Sequence, residues 1–219
     1  METDLRLYAL VDPAVAGGRT LSDLARTIAA SATLVQLRDK HSSTRDMVEE
    51  ARKLRAVLAP KRIPLLINDR VDVALAAQAD GVHIGQDDMA VADARRLLGR
   101  DAIIGLSVKT VAQAKAAPLD KLDYVAIGGV FATTSKDNTA APIGISGLRE
   151  IVEAVRSRAP RFPICAIAGI TAGNAADVVA AGADGVAVIS ALSLSGDPAT
   201  AAQALRSAVD GALAKRGRS

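Results

Sequence analysis

The stretch from Pro64 to Asp88, PLLINDRVDVALAAQADGVHIGQDD, decides the fold of this chain. The apolar run 63–67 predicts a buried strand that stops at Asn68 and Asp69. An alanine-rich helix is predicted over 71–79, and an Asp-Gly turn then leads into a second strand, 82–84, followed by Asp88. Strands connected in this way usually lie side by side in a parallel sheet, with their C-terminal ends together. Asp69 and Asp88 should therefore face one small volume, and two carboxylates there suit Mg²⁺.

Composition limits the class of protein. The chain has 219 residues, of which 50% are hydrophobic and only 2% aromatic, so one sizeable aliphatic core is expected. Its single cysteine, Cys165, lies in the apolar run 163–167, which favours a buried core thiol over a nucleophile. One cysteine cannot form a disulfide within the chain. This usage fits the reducing cytosol, and we expect a cytoplasmic protein.

Charge and hydropathy argue against two classes of partner. The net charge of +3 and the pI of about 9.2 are mildly basic, and the basic residues are spread along the chain without interleaved aromatic residues. We therefore expect no nucleic-acid binding. The first ten residues contain Glu2 and Asp4 and no cleavable apolar region, and no uncharged run is long enough for a membrane span. Small phosphorylated molecules are the expected partners.

Strand-like and helix-like segments alternate through the whole chain. Eight strand–helix units with short connections indicate an α/β protein with a parallel sheet, and their number favours a single-domain (β/α)8 TIM barrel over residues 1–219. The segments 77–82 and 181–186 resemble each other before strands four and eight, as a repeated half-barrel would produce. An open doubly wound sheet is the alternative, but no G-x-G-x-x-G follows the first strand.

Polar side chains at the strand ends are the candidates for chemistry, because barrel active sites lie at the C-terminal ends of the strands. Strand two and the residues at its end offer Gln36, Arg38 and Lys40 at period-two spacing, which predicts that they share one side and bind a polyphosphate. Asn68 and Asp69 follow strand three. The candidates after strands four and five are Asp88, for which capping of the next helix is the alternative, and Ser107.

Two further segments predict an anion site. The long loop after strand six begins with glycines and continues with three hydroxyl residues and a lysine: Thr133, Thr134, Ser135 and Lys136. Barrels often bind phosphate after strands seven and eight, where this chain has Gly169, Ile189 and Ser190. One site therefore suits a pyrophosphate and the other a monophosphate. Two phosphorylated substrates in one pocket imply a group transfer in which pyrophosphate leaves.

At this point the sequence resembles the thiamine-phosphate synthase family over nearly its whole length. The motifs that carry the resemblance occur in order along the chain: VQLRDK at 35–40, INDRVD at 67–72, ADGVHIGQDDM at 79–89, GLS at 105–107, TTSK at 133–136 and ADGV at 183–186. The resemblance implies an enzyme that joins hydroxymethylpyrimidine pyrophosphate to hydroxyethylthiazole phosphate. The implied products are thiamine phosphate and pyrophosphate, with Mg²⁺ required and a pyrimidine-stabilised carbocation formed before attack by the thiazole nitrogen.

The resemblance also implies residue roles. Asp69 and Asp88 would hold Mg²⁺, and the catalytic set would be Arg38, Lys40, Ser107 and Lys136. The pyrimidine pyrophosphate would be held by Gln36, Arg38, Lys40, Asn68, Ser107 and Lys136. The thiazole phosphate would be held by Thr133, Ser135, Gly169, Ile189 and Ser190. Asp39 and Thr134 would also bind substrate.

The sequence departs from the family in several places, and alternatives stay open. Asp39 and Asp87 stand where the family usually has Glu, and Ala168 stands where it usually has Gly. Gly129 and Ala132 stand where Pro is common. One alternative is a thiazole tautomerase-like barrel, although 107–110 offers no histidine acid or base. The other is a barrel that binds thiamine precursors without turnover. A homo-oligomer is compatible with the sequence.

Overall fold

Eight parallel strands close into a barrel in the computed structural model of this chain, which describes residues 3–133 and 141–217. Each strand pairs with its neighbours in sequence, and pairing of Leu7 with Val186 joins the first strand to the last. The (β/α)8 barrel is thereby confirmed, and the open sheet is wrong. The strands are β1 (Leu7–Val11), β2 (Leu34–Leu37), β3 (Leu65–Asn68), β4 (Gly81–Ile84), β5 (Ile103–Val108), β6 (Tyr124–Ile127), β7 (Ile164–Ile167) and β8 (Gly185–Val188).

Helices surround the barrel and connect its strands. Short 3₁₀ segments lie at Pro13–Val15, Ala59–Lys61 and Leu119–Lys121. The α-helices are α1 (Leu21–Ile28), α2 (Thr44–Leu58), α3 (Val71–Ala77), α4 (Val91–Leu98), α5 (Val111–Ala116), α6 (Gly144–Arg156), α7 (Ala175–Ala180), α8 (Ser190–Ser193) and α9 (Pro198–Arg216). Within the two described ranges, none of these helices combines the length and the hydropathy that crossing a bilayer requires.

Alternation along the strands produces two cores. In β3, Leu65 and Ile67 belong to the cluster between the sheet and the helices, whereas Leu66 belongs to the cluster inside the barrel. This follows from the period of two in an extended chain. The inner cluster also contains Cys165, which is fully buried, so the predicted core thiol is confirmed. Burial raises the pKa of this thiol well above its usual range.

Helix α2 shows how local sequence places an element. Ser43 caps its first turn by accepting a hydrogen bond from the Asp46 amide at 3.2 Å. The buried residues Met47, Ala51, Leu54 and Leu58 recur at spacings of four and three, which puts one apolar face on the barrel. The helix ends at Leu58, shortly before Pro60.

Some predicted boundaries are wrong. The strand predicted over 63–67 covers Leu65–Asn68, and the helix predicted over 71–79 covers Val71–Ala77. Helix α8 is not predicted at all, because four residues are too few for a periodic pattern.

The resemblance between the segments before β4 and β8 has a structural cause. Asp80 accepts a hydrogen bond from the Leu65 amide at 2.8 Å, and Asp184 accepts one from the Ile164 amide at 3.0 Å. Asp123 binds the Ile104 amide in the same way, at 2.8 Å. Each aspartate therefore precedes an even-numbered strand and binds the first or second amide of the strand before it. This end of the barrel, where the strands begin, is called the lower end below.

Candidate active site

The polar residues at the end of β2 and just after it are held by neighbouring strands at the upper end, where the strands finish. Gln36 Nε2 donates to the Tyr8 hydroxyl, and Arg38 forms an ion pair with the buried Asp12. Lys40 forms an ion pair with Asp69, after β3. The side chains of Gln36, Arg38 and Lys40, which alternate along the chain, therefore lie across the ends of β1, β2 and β3. Since Arg38 uses one nitrogen on Asp12, its other donors remain for a bidentate anion contact.

The carboxylates of Asp69 and Asp88 meet, as the sequence predicts. Asp69 has a left-handed backbone, with φ of 61°, and its amide donates to the His83 carbonyl on β4 at 2.8 Å. Burial raises the pKa of Asp69 above its usual range, and the adjacent Asp88 raises it further, while Lys40 opposes both. Asp88 does not cap α4, whose first turn has no side-chain cap. Instead its Oδ2 accepts from the Gly85 amide at 2.6 Å, so the capping alternative is wrong.

This donor set fits Mg²⁺. Within residues 3–133 and 141–217, no group of three or more His, Cys, Asp or Glu side chains could enclose a metal. Mg²⁺ commonly binds through one or two carboxylates and takes its other oxygens from water and substrate phosphates. Because Asp88 contributes to the raised pKa of Asp69, a cation bound between the two carboxylates would relieve repulsion. The two carboxylates therefore match an ion shared between protein and phosphorylated substrate.

A cavity of about 380 Å³ opens beside these residues at the ends of β5 to β8. It is lined by several of the predicted residues, and these are Ser107, Thr133, Gly169, Ile189 and Ser190. Ile189 and Ser190 lead into α8, and the first amides of a helix have no acceptor within the helix. The lining thus offers backbone and hydroxyl donors without an acidic side chain among the described residues, which suits a phosphate.

Gly169 lies where the chain after β7 touches the chain after β6. A Cβ at this position would lie 2.4 Å from the Ala132 carbonyl oxygen and 2.6 Å from Phe131 Cβ. The φ of Gly169 is 64°, in the left-handed region. Ala168 also has a positive φ, 97°, and its carbonyl accepts from the Phe131 amide at 3.1 Å. Contact between the two loops therefore shapes this wall of the cavity.

The other predicted site residues have mixed outcomes. Asn68 is buried at the end of β3, beside Asp69. Asp39 uses Oδ1 to accept from the amides of His41 and Ser42, both at 3.0 Å, so this atom orders the loop after β2. Thr134, Ser135 and Lys136 lie outside the described residues. Their predicted roles stay predictions.

Sequence reasoning missed four residues near the site. Asp12 follows β1 and anchors Arg38, and the rule that polar residues after strands carry chemistry would have found it. Lys109 lines the cavity two residues beyond Ser107. Tyr8 and Tyr124 are fully buried inside the barrel and join Gln36 to His83 by hydrogen bonds. His83 is a buried residue of β4, and its ring also reaches Ser107.

Comparison with known proteins gives a consistent result. Residues 7–192 match the family model described as thiamine monophosphate synthase. The chain belongs to the thiamine monophosphate synthase family. It is 50% identical to the thiamine-phosphate synthase of Agrobacterium fabrum over 216 residues, 98% of each chain. It is 49% identical to that of Chloroflexus aurantiacus over 207 residues, 94% of this chain and 93% of the relative.

A solved structure supports the same family. The thiamine phosphate pyrophosphorylase from Pyrococcus furiosus superposes with a TM-score of 0.83 at 36% identity, and the match covers 96% of this chain and 98% of that one. Members of the thiamine monophosphate synthase family are transferases. The chain is therefore an enzyme of that class, and the alternative of a barrel without turnover is not supported.

Proposed function

We propose that this enzyme joins hydroxymethylpyrimidine pyrophosphate to hydroxyethylthiazole phosphate, giving thiamine phosphate and pyrophosphate in the presence of Mg²⁺. The observation that carries the proposal is the pairing of two anion sites at the upper end. Arg38, Lys40, Asp69 and Asp88 form the first, and the cavity beside Gly169 forms the second.

The first site suits a pyrophosphate that leaves. Arg38 is fixed by Asp12, and Lys40 lies against Asp69 with its side chain 46% exposed. Bound Mg²⁺, held by Asp69 and Asp88, would supply positive charge for the departing oxygens. The bond that breaks joins the pyrimidine methylene carbon to the pyrophosphate oxygen. Its electrons leave with the oxygen, so fixed cations act where the transition state gains negative charge.

The second site suits the acceptor. The cavity beside Gly169 would hold the thiazole phosphate through backbone amides and the Ser190 hydroxyl. The thiazole nitrogen then forms the new bond to the methylene carbon, and it needs no proton removed. This explains why the cavity lining contains no acidic side chain among the described residues. The protein supplies position and charge, and no protein nucleophile is required.

The test is pyrophosphate release by the purified enzyme with both substrates, with each substrate alone, and with or without Mg²⁺. Release only with both substrates and Mg²⁺ is expected. Asp69→Asn should abolish it, whereas the matched variant Asp72→Asn should not, because Asp72 lies on α3 with its side chain 60% exposed and paired to Arg70. Release without Mg²⁺, or equal loss in both variants, would contradict the assigned metal site.

A further inference from the structure

The loop after β1, residues 12–20, lies against the connection that follows β8. Arg19 Nη1 donates to the Ser193 carbonyl and Arg19 Nη2 donates to the Ser195 carbonyl, both at 3.1 Å. Ser193 is the last residue of α8, and the last carbonyls of a helix have no donor within the helix. Arg19 therefore supplies donors to the end of α8 from a position 174 residues away in the sequence.

The backbone around Arg19 is held on both sides. Its amide donates to the Ala16 carbonyl at 3.1 Å, and the next residue, Thr20, caps the first turn of α1 with its side chain. Gly17 has a left-handed φ of 60°, and a Cβ there would lie 3.2 Å from the Ser193 carbonyl oxygen. The loop and the end of α8 are therefore in direct contact at Gly17 as well as through the Arg19 side chain.

Helix α8 connects this contact to the second anion site. Ile189, Ser190 and Ala191 line the cavity that forms the site. The Ser193 amide donates to the Ile189 carbonyl, and the Leu194 amide donates to the Ser190 carbonyl, both at 3.0 Å. One turn of backbone hydrogen bonds thus joins the residues that Arg19 holds to the residues that line the cavity. A displacement of residues 193–195 would therefore displace the cavity wall.

The start of the same loop belongs to the first anion site. Asp12 Oδ2 forms the ion pair with Arg38, and Asp12 Oδ1 accepts from the Ala14 amide at 2.9 Å. These contacts involve neither Arg19 nor α8, so they would survive the loss of the Arg19 side chain. A change at Arg19 should therefore act on the second site and leave the first one in place.

We propose that Arg19 is a positioning residue for the acceptor substrate, and that it fixes the cavity wall at Ile189 and Ser190 by binding the end of α8. The identity of the acceptor as a thiazole phosphate rests on the proposed function, but the support of α8 by Arg19 does not. A guanidinium suits this task because its planar fork presents two nitrogens to two carbonyls at once, whereas lysine carries all its donors on one atom.

The direct test is hydrogen–deuterium exchange of the full-length enzyme without substrate. Arg19→Ala should speed exchange of the amides of residues 192–195 about tenfold, because the turn that contains them loses its support. Unchanged exchange in this segment would overturn the proposal. Since no substrate is present, the result does not depend on turnover. Failure of the proposed function would appear separately, as a parent enzyme that releases no pyrophosphate.

Arg206→Ala is the matched control for loss of an arginine that binds backbone. Arg206 donates to the Ser31 carbonyl at 3.0 Å and pairs with Asp210, but it does so at the lower end of the barrel. It should lower stability and leave exchange of residues 192–195 unchanged. Faster exchange there in both variants would trace the effect to general loss of stability and overturn the role of Arg19.

Steady-state kinetics separates positioning from general support of the fold. Arg19→Ala should raise the KM for the thiazole phosphate about tenfold, while kcat and the KM for the pyrimidine pyrophosphate change by about twofold or less. Arg19→Lys restores the charge but not the fork, so it should recover part of the loss. Equal rises in KM for both substrates, or a fall in kcat alone, would overturn the proposed role.

Two adjacent glycines give a second test that keeps Arg19. Gly17 and Gly18 both have left-handed backbones, with φ of 60° and 79°, so alanine is strained at either position. A Cβ at Gly17 would press on the Ser193 carbonyl, whereas one at Gly18 would have no atom within 4 Å beyond its chain neighbours in the described ranges. Gly17→Ala should raise the KM for the thiazole phosphate about threefold, and Gly18→Ala should not. An equal change in both variants would assign the effect to backbone strain and overturn the role of the contact with α8.

Discussion

The polar groups at the two ends of the barrel lie in opposite kinds of environment. At the lower end Asp80, Asp123 and Asp184 each bind a backbone amide of the preceding odd-numbered strand. At the upper end burial and the nearby Asp88 raise the pKa of Asp69, and Gln36 Oε1 is buried without a partner among the described residues. A cavity of about 1110 Å³ also lies at the lower end, lined in part by Asp80 and Asp123. Size alone therefore does not identify the site.

The difference shows which end is organised for stability and which for binding. Lower-end carboxylates gain hydrogen bonds on folding, so folding itself satisfies them. The polar groups at the upper end are still in unfavourable surroundings after the protein has folded, and the interactions of a bound ligand would lower that energetic cost. Mutations at the upper end should therefore change activity more than stability, and mutations at the lower end should do the reverse.

Asp69→Asn should give the largest effect. We expect pyrophosphate release to fall at least about a thousandfold, equivalent to ~4 kcal/mol, because one of the two metal carboxylates is removed. Without Mg²⁺ the melting temperature should rise slightly. The folded state raises the pKa of Asp69, so ionisation at neutral pH disfavours folding, and asparagine removes that penalty.

The sign of this stability effect can be checked by pH. The advantage of Asp69→Asn in metal-free unfolding should be fully present above the raised pKa of folded Asp69. It should shrink as pH falls from that value to the ordinary carboxyl pKa, below which Asp69 is neutral in both states. Asp69→Asn also removes the ion pair with Lys40, and that loss lowers the stability of the variant. A variant less stable than the parent at neutral pH would show that this pair dominates.

Asp184→Ala should give the largest effect on stability. Asp184 accepts from Arg156 at 2.8 Å, from Arg216 at 2.6 Å and from the Ile164 amide at 3.0 Å. Removing it leaves all three donors without this acceptor, so the free energy of unfolding should fall by about 2–4 kcal/mol. Denaturant titration measures the loss, and kcat at a temperature where the variant is folded should stay near that of the parent.

Asp80→Ala, at the same end, should lower the stability less than Asp184→Ala does. Asp80 accepts from the Leu65 amide at 2.8 Å and forms no ion pair within the described ranges, so its loss should be smaller, about 1 kcal/mol. If instead Asp80→Ala or Asp184→Ala abolished turnover in folded protein, the assignment of stability to the lower end and of binding to the upper end would be wrong.

The sequence predicts features that depend on neighbours along the chain. Asp69 and Asp88 follow consecutive parallel strands, so their meeting needs only the rule that such strands align their ends. The capping of α2 by Ser43 is likewise local. Strand order and barrel closure follow from repetition of one unit.

Features that depend on distant partners were missed. Tyr8 and Tyr124 are 116 residues apart, and nothing in either strand shows that their hydroxyls meet. Asp12 and Arg38 are 26 residues apart. The positive φ of Ala168 contradicts the ordinary preference of alanine, because a backbone bond to Phe131 in another loop stabilises it. Such contacts arise only once the barrel has closed.

Gly169→Ala should affect binding at the second anion site. The added Cβ would meet the Ala132 carbonyl at 2.4 Å, so the loops after β6 and β7 must separate. We expect the KM for the thiazole phosphate to rise roughly ten- to a hundredfold, or about 1.4–2.7 kcal/mol, with a smaller change for the pyrimidine substrate. Steady-state kinetics with each substrate varied in turn measures this. Gly173→Ala is the control, since its nearest contact is an ordinary 3.7 Å.

Ala168→Gly should have the smallest effect and should be favourable. A left-handed backbone costs a residue with a Cβ about 1–2 kcal/mol, whereas the greater freedom of glycine in the unfolded chain costs about 0.5–1 kcal/mol. The free energy of unfolding should therefore rise by up to ~1 kcal/mol, measured by denaturant titration. Ala166→Gly, in the fully buried part of β7, should instead lower it by about 1 kcal/mol. If the two substitutions to glycine lower the free energy of unfolding equally, the backbone of Ala168 is not strained in solution. The conformation of the upper end then costs less free energy than its geometry indicates.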